Sequence, residues 1–195
     1  MGVMPTPPLS RPLTLEDFEA IRDVEDGHRY ELIDGVLVVT PSPVPRHQQV
    51  VTELLFLLRS TITPGHRVYA APLDVRLGTD TVVQPDLLVA APATVTAGWV
   101  DGPPALVVEV LSPSTRSFDL GAKLLRYEQA GTPSYWVVDP DEPSLRAWEL
   151  DADGYREVAR AAGDEVAELA RPWPLRVVPA DLAAGDLPGP VGPSL

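Results

Sequence analysis

Two carboxylates interrupt stretches of the chain that otherwise have the pattern of buried strands. Glu109 lies inside the apolar run of residues 104–111. Asp86 directly follows Pro85 and opens a second apolar run, residues 86–91. An ionised carboxylate in such a place is costly unless it is paired or bound to a metal ion. Asp86 either begins its strand facing solvent or binds a ligand, and Glu109 either pairs with an arginine or binds a ligand. Oxygen ligands of this kind suit Mg²⁺ or Mn²⁺.

Two other charged residues are candidates to act with these carboxylates. Lys123 is the only lysine of the chain, and the other 14 basic residues are arginines. It follows Asp119 by four positions in a predicted helix, so the two side chains share a face. That spacing alone favours a solvated ion pair, and the alternative is a polar cluster with the strand of Glu109. Glu31, in a predicted hairpin strand, is by itself expected to be an exposed polar residue. Tyr127, one turn beyond Lys123, is expected in the core.

Turn signals, cap signals and apolar periodicity predict the elements that position these residues. Asp34-Gly35 predicts a two-residue hairpin turn, Thr14 a helix N-cap and Gly131 a helix end. The predicted helices begin at Thr14 and span residues 47–62 and 115–130. The predicted strands flank the hairpin turn and fall within residues 67–91, 104–111, 134–139, 145–150 and 155–160. This order indicates an α/β fold, a mixed β-sheet flanked by helices with an extra C-terminal β-hairpin.

Length and composition predict one globular domain. The 195 residues divide into a flexible N-terminal segment, 1–13, a single domain, 14–185, and a flexible tail, 186–195. The sequence has no apolar stretch long enough to span a membrane and no secretory signal, so a cytoplasmic protein is expected. Because the chain has no cysteine, disulfides and cysteine nucleophiles are excluded.

Several common enzyme classes are excluded by their missing motifs. The sequence has no phosphate-binding loop, no dinucleotide-binding glycine fingerprint and no G-x-S-x-G turn. The three histidines, at positions 28, 47 and 66, lack the H-x-x-x-H spacing of a zinc protease. His47 is expected at the surface or in a helix cap. The net charge of −13 counts against tight non-specific binding of DNA.

Three segments resemble a known family. RYELIDGVLVVTPSPVPRHQ begins at Arg29, QPDLLVA at Gln84, and LVVEVLSPSTRSFDLGAKLLRYEQAGTPSYWVVDP at Leu106. Together they resemble the Uma-type family of bacterial putative restriction endonucleases, which belongs to the PD-(D/E)XK nuclease superfamily. The resemblance covers most of the chain, from the first predicted helix to the first strand of the C-terminal hairpin.

The resemblance implies a restriction-endonuclease-like core and a set of site residues. By position, Asp86 and Glu109 match the acids that hold Mg²⁺ or Mn²⁺, together with the backbone carbonyl of Leu111. Glu31 matches the upstream acid of the motif. The motif lysine would stand at position 111, which is leucine here. Lys123 in the following helix matches a lysine that has moved.

The resemblance also implies an activity and a partner. The expected function is that of a metal-dependent endonuclease that hydrolyses phosphodiester bonds of DNA and works as a homodimer. One alternative is a catalytically silent binding or regulatory protein that keeps the nuclease fold. Another is a nuclease that acts on RNA or on another phosphodiester.

Overall fold

The computed structural model describes residues 11–22, 27–113 and 115–185. Its helices are α1 (Leu15–Glu19), α2 (Pro45–Thr61), α3 (Arg116–Asp119), α4 (Ala122–Ala130) and α5 (Pro179–Ala184), with a 3₁₀ helix at Pro92–Thr94. Its strands are β1 (His28–Ile33), β2 (Val36–Pro41), β3 (Arg67–Ala70), β4 (Asp74–Arg76), β5 (Val82–Val83), β6 (Leu87–Ala90), β7 (Trp99–Asp101), β8 (Leu106–Val110), β9 (Ser134–Asp139), β10 (Ser144–Asp151), β11 (Gly154–Ala162), β12 (Ala167–Leu169) and β13 (Leu175–Val177).

Two mixed sheets form the framework of the molecule. The first sheet has the strand order β2-β1-β5-β4-β7 and is antiparallel except for the β4–β7 pair. The second has the order β11-β10-β9-β8-β6-β3 and is antiparallel except for the β8–β9 pair. Parallel neighbours need a crossover connection, and α3 and α4 lie in the connection between β8 and β9. The α/β fold with mixed strands and flanking helices predicted from the sequence is confirmed, but the strands form these two sheets and a small β12-β13 pair instead of one sheet.

The central strands β6, β8 and β9 of the second sheet are buried on both faces, and their side chains alternate between these faces. On one face Val108 packs into a cluster with Leu54 of α2. On the other face Val107 packs into a cluster with Val83 of the first sheet and with residues of α4. Glu109 has the parity of Val107, so strand geometry places its side chain in the layer between the two sheets.

The turn and cap signals of the sequence are confirmed. Asp34 and Gly35 both have positive φ, 53° and 73°, which is the backbone of the tight hairpin turn between β1 and β2. Thr14 caps α1 and forms a capping box with Asp17. Gly131 ends α4 in the left-handed conformation.

The predicted helix of residues 115–130 is wrong as a single element. It is interrupted at Gly121, whose φ of −129° and ψ of −95° are not helical. A Cβ atom there would lie 2.8 Å from the backbone oxygen of Ser117, so the break needs glycine. The predicted helix of residues 47–62 begins two residues earlier than expected, with Pro45 at a position where its missing N–H is not needed.

The C-terminal strands form the predicted hairpin, and it extends the second sheet. β10 and β11 pair antiparallel from Ser144↔Ala162 to Asp151↔Gly154. The domain boundaries stay predictions, and the predicted tail of residues 186–195 lies outside the described residues. Within the described ranges, no helix is both long enough and apolar enough to cross a membrane.

Candidate active site

A cluster of charged side chains lies in the layer between the two sheets. Arg29 and Glu31 share a face of β1 with Ile33, which packs into the core between the sheets. Asp86 directly precedes β6 of the second sheet, and Glu109 lies on the neighbouring strand β8. Residues far apart in sequence therefore meet because the first sheet docks on the second.

Lys123 enters this cluster from α4 and contacts three carboxylates. Its Nζ atom lies 3.0 Å from Oε1 of Glu31, 3.1 Å from Oε1 of Glu109 and 3.3 Å from Oδ1 of Asp119. Each of these four residues is at most 1% exposed. The break at Gly121 separates Asp119 on α3 from Lys123 on α4. The four side chains form a buried ion cluster, which replaces the solvated pair and the exposed Glu31 that the residue pattern alone favoured.

Burial and mutual contact shift the pKa values in this cluster. Burial raises the pKa of Glu109 well above its ordinary value; Lys123 opposes the rise and the neighbouring carboxylates reinforce it. Burial likewise raises the pKa of Asp119, again with Lys123 in opposition. Burial alone would lower the pKa of Lys123, but the three carboxylates raise it overall. Lys123 is therefore a permanent ammonium group at physiological pH.

Asp86 lies in a second set of contacts beside this cluster. Its Oδ1 accepts a hydrogen bond from Nη1 of Arg29 at 3.0 Å. Its Oδ2 accepts one from the backbone N–H of Val110 at 2.8 Å and lies 3.2 Å from Nε2 of His47. Burial opposes ionisation, but the hydrogen bond of His47, the charge of Arg29 and the Val110 N–H together hold the pKa of Asp86 below its ordinary value. Asp86 is therefore a stable carboxylate.

Asp86 also links the buried cluster to an open cleft of about 630 Å³. Arg29, His47 and Asp86 are among the residues that line this cleft. Glu109 and Lys123 do not line it. One side of the site, with Arg29, His47 and Asp86, is therefore open to a ligand, and the other side, with Glu109 and Lys123, is buried in the protein. The further lining residues are Arg22, Gly27, His28, Tyr30, Thr40, Pro41, Ser42, Pro43, Val44, Gln48, Ala71, Pro72, Gln84, Ser112, Pro113 and Thr115.

The site fits a divalent cation in charge and in donor chemistry. Four buried carboxylates face two permanent cations, Arg29 and Lys123, so an ionised cluster carries excess negative charge. Oε2 of Glu31 is buried without a hydrogen bond and lies 3.9 Å from Nε of Arg29. Among the described residues no three carboxylate or imidazole groups are arranged to hold a metal ion by themselves. Mg²⁺ does not require such a cage, because it keeps several waters and binds through one or two carboxylates.

Of the predicted site residues, Glu31 and Glu109 both contact Lys123, and Asp86 adjoins them through Arg29; their roles stay predictions. Leu111 follows β8 and donates its N–H to the carbonyl of Val138 at 2.8 Å, and its own carbonyl stays a predicted ligand. Tyr127 is fully buried, with its ring centroid 5.2 Å from that of Tyr135, which confirms its place in the core.

The expectation that His47 lies at the surface or in a cap is wrong. His47 is 4% exposed because α2 packs its first turn against the start of β6. Sequence reasoning also missed Arg29 and left Asp119 as a surface charge. The available signal was the spacing Arg29-x-Glu31, which puts both side chains on one face of a strand.

Comparisons with known proteins agree with this architecture. The chain matches the Uma2 family model, described as a putative restriction endonuclease, over residues 15–180. Its fold is similar to that of a putative nuclease belonging to DUF820 from Anabaena variabilis, known from a crystal structure. The TM-score is 0.68 and the sequence identity 22%, and the match covers 89% of this chain and 99% of the other. A comparison with curated proteins found no match.

The similarity to the crystal structure of the Anabaena variabilis protein supports the fold class, an α/β restriction-endonuclease-like architecture. The family match covers most of the chain and confirms the resemblance seen in the sequence. The chain belongs to the Uma2 family of putative restriction endonucleases.

Proposed function

We propose that this protein is a metal-dependent endonuclease that hydrolyses phosphodiester bonds of DNA. The observation that carries the proposal is the buried cluster of Glu31, Glu109, Asp119 and Lys123 joined to an open cleft through Asp86. Burying four carboxylates is costly in a protein that needs only a stable core. A catalytic centre explains why the fold keeps them.

The chemistry follows from the residues and the cation that they fit. In the proposed site, Asp86, Glu109 and the Leu111 carbonyl would hold Mg²⁺ or Mn²⁺, with Glu31 contributing directly or through water. A cation held there would supply a more acidic water and a polarised phosphoryl oxygen. The neighbouring carboxylates raise the pKa of Lys123, so in the proposed site it acts as an ammonium group. Its role is to orient the water or to stabilise negative charge that develops at the phosphorus centre.

Cleavage of supercoiled plasmid, single-stranded DNA and single-stranded RNA tests the proposal. Each substrate is incubated with Mg²⁺ or Mn²⁺ and the parent protein, Glu109→Gln or Asp139→Asn. Asp139 is a matched control because it is also a buried carboxylate but pairs with Arg116 outside the cluster. We expect the parent and Asp139→Asn to cut DNA, and Glu109→Gln to lose at least a hundredfold in rate.

The outcomes separate the candidate activities. Equal cleavage by the parent and Glu109→Gln contradicts the assignment of the site. Cleavage of RNA but not DNA keeps the chemistry and changes the substrate. EDTA must abolish the activity of the parent, because the proposed role of the carboxylates is to hold a cation.

One observation favours a second candidate, a catalytically silent binding or regulatory protein with a nuclease fold. In the described part of the chain, the acidic groups surround Lys123 and do not form a metal cage. A thermal-shift titration separates the two functions, since a cation that binds only the folded state raises the melting temperature. No shift with Mg²⁺ or Mn²⁺ supports the silent protein; a shift that Glu109→Gln reduces supports the enzyme.

We also propose a homodimer, because cutting both strands of a duplex is achieved most simply by two symmetric copies. Light scattering at micromolar concentration gives the mass directly. A mass near 21.0 kDa, that of one chain, contradicts the proposal.

A further inference from the structure

Arg29 stands between the buried cluster and the open cleft. Its Nη1 atom donates to Oδ1 of Asp86 at 3.0 Å and to the backbone oxygen of Gln84 at 3.1 Å. Its Nε atom donates to Oγ1 of Thr40 at 3.3 Å and lies 3.9 Å from Oε2 of Glu31. These contacts fix the guanidinium group in place, with its side chain 21% exposed.

The second terminal nitrogen of Arg29 is not used by the protein. Within the described ranges, Nη2 has no hydrogen bond, although Arg29 is one of the residues that line the cleft. The matched case is Arg126, whose side chain is 19% exposed. Its Nη2 donates to Asp80 and Thr81, and its Nη1 lies 3.1 Å from Asp34. Both terminal nitrogens of Arg126 are therefore engaged in structure, whereas Arg29 keeps its Nη2 as a charged donor for a ligand.

We propose that Arg29 binds a phosphate group of the nucleic-acid substrate in the cleft while its other arm holds Asp86. This inference rests on the proposed function and adds a substrate-binding residue to the site. The guanidinium fork suits both tasks, because its planar donors bind two anionic oxygens in fixed directions. The phosphate is thereby held next to the carboxylate that is proposed to bind the cation.

The charge of the cleft supports an anionic ligand in an otherwise acidic protein. The chain carries a net charge of −13, yet Asp86 is the only acidic residue that lines the cleft in the part of the chain that the structure describes. Two arginines and two histidines line it as well, at positions 22, 29, 28 and 47. Of these, Arg22 pairs with Asp74 and Arg29 with Asp86, so Nη2 of Arg29 is the charged donor that the proposal assigns to a phosphodiester.

Binding of a fluorescent oligonucleotide tests the inference apart from cleavage. All proteins carry Glu109→Gln, so that the probe is not consumed, and differ only in Arg29→Met, Arg29→Lys or Arg126→Met. Anisotropy titrations use single-stranded and duplex DNA with Mn²⁺ at several salt concentrations. Each substitution to methionine removes one charge and one ion-paired arginine, but only Arg29 lines the cleft.

We expect Arg29→Met to bind both probes about tenfold to hundredfold more weakly, since it loses a charge-assisted hydrogen bond. The slope of log affinity against log salt falls by about one phosphate contact. Arg29→Lys keeps part of the affinity, and Arg126→Met keeps all of it. Thermal shifts with Mn²⁺ alone are measured on proteins that keep Glu109, and they do not weaken in Arg29→Met, because a neighbouring positive charge has been removed.

Other outcomes overturn the inference. Unchanged affinity and salt slope in Arg29→Met mean that the cleft does not bind phosphate through this residue. A loss of Mn²⁺ response in step with the loss of DNA binding means that Arg29 only supports Asp86. If the wild-type protein cleaves DNA normally while either result holds, the inference fails and the proposed function stands.

Discussion

The Nζ atom of Lys123 lies 3.1 Å from Oε1 of Glu109. Glu109 is on β8 and Lys123 is on α4, the second of the two helices in the crossover connection that follows β8. Both side chains are sealed from solvent. The negative charges of the neighbouring carboxylates stabilise this buried ammonium group and raise its pKa, so that it stays protonated. The lysine and the carboxylates therefore depend on one another for stability.

Replacing Lys123 by methionine should destabilise the protein more at pH 8 than at pH 5. The change leaves three buried carboxylates without their cation, which costs about 3–5 kcal/mol of unfolding free energy. At pH 5 the raised pKa values of Glu109 and Asp119 allow protonation, which relieves the repulsion. Urea denaturation at both pH values measures the difference. A loss that does not depend on pH contradicts the ion-cluster interpretation. Arg116→Met is the control, because Arg116 is 54% exposed and its pair is expected to contribute about 1 kcal/mol or less.

Replacing Glu109 by glutamine should remove a pH dependence of stability in the metal-free protein. The pKa of Glu109 is raised in the folded state, so above the ordinary pKa the folded protein holds a proton that the unfolded chain has released. Stability then falls as the pH rises towards the folded pKa. Glutamine never ionises, so the stability of the variant relative to the parent should increase from pH 5 to pH 8. Urea denaturation in EDTA measures this trend, and a constant difference would refute it.

The affinity for Mn²⁺ should increase with pH and be accompanied by proton release. A metal ion binds the carboxylate form, and Glu109 holds its proton to a higher pH than an ordinary glutamate. For each proton released, the affinity rises by up to about tenfold per pH unit. Calorimetry in two buffers with different ionisation enthalpies counts the protons. Glu109→Gln should release fewer protons than the parent. Equal numbers of released protons would mean that the proton comes from a group other than Glu109.

Substitutions at His47 should separate the hydrogen bond to Asp86 from simple packing. His47→Leu leaves Oδ2 of Asp86 with the Val110 N–H as its remaining donor, which costs about 1–2 kcal/mol of unfolding free energy and weakens Mn²⁺ binding. His47→Gln keeps an N–H donor and should recover part of both losses. Urea denaturation and Mn²⁺ thermal shifts measure them. If glutamine and leucine behave alike, the hydrogen bond does not matter.

Replacing Gly121 by alanine should disturb the cluster from a distance. The new Cβ would lie 2.8 Å from the backbone oxygen of Ser117, so the break between α3 and α4 must shift. We expect a loss of about 1–3 kcal/mol of unfolding free energy and a weaker response to Mn²⁺, because α4 carries Lys123. Gly78→Ala is the control, since its Cβ would lie 3.7 Å from the nearest atom, Oδ1 of Asp80. A variant that matches this control contradicts the steric argument.

The sequence predicted best what local chemistry determines. Asp34-Gly35 specifies its turn because both residues tolerate positive φ. The hairpin therefore forms independently of the elements that pack around it. Glu109 could be recognised because its neighbours on the strand are apolar on both faces. Such a carboxylate requires a partner, and Lys123 is that partner.

The sequence predicted poorly what depends on packing between layers. On β1, the apolar Leu32 suggested that Glu31 faces solvent. Leu32 packs with Phe18 of α1, while the opposite face is covered by Lys123 of α4 at Glu31 and by the second sheet at Ile33. Alternation along a strand identifies two faces but does not reveal that both are buried. The burial of His47 was missed for the same reason, because it depends on where α2 docks.

The charged cluster is divided between two sheets, so its assembly requires the two sheets to dock. Glu31 belongs to the first sheet, Glu109 to the second, and Asp86 to the link between β5 and β6 that joins them. A chain with both sheets formed but not yet docked has ordinary secondary structure and no assembled centre. Under the proposed function, a nascent or damaged copy without docked sheets would lack the centre that is proposed to cut nucleic acid.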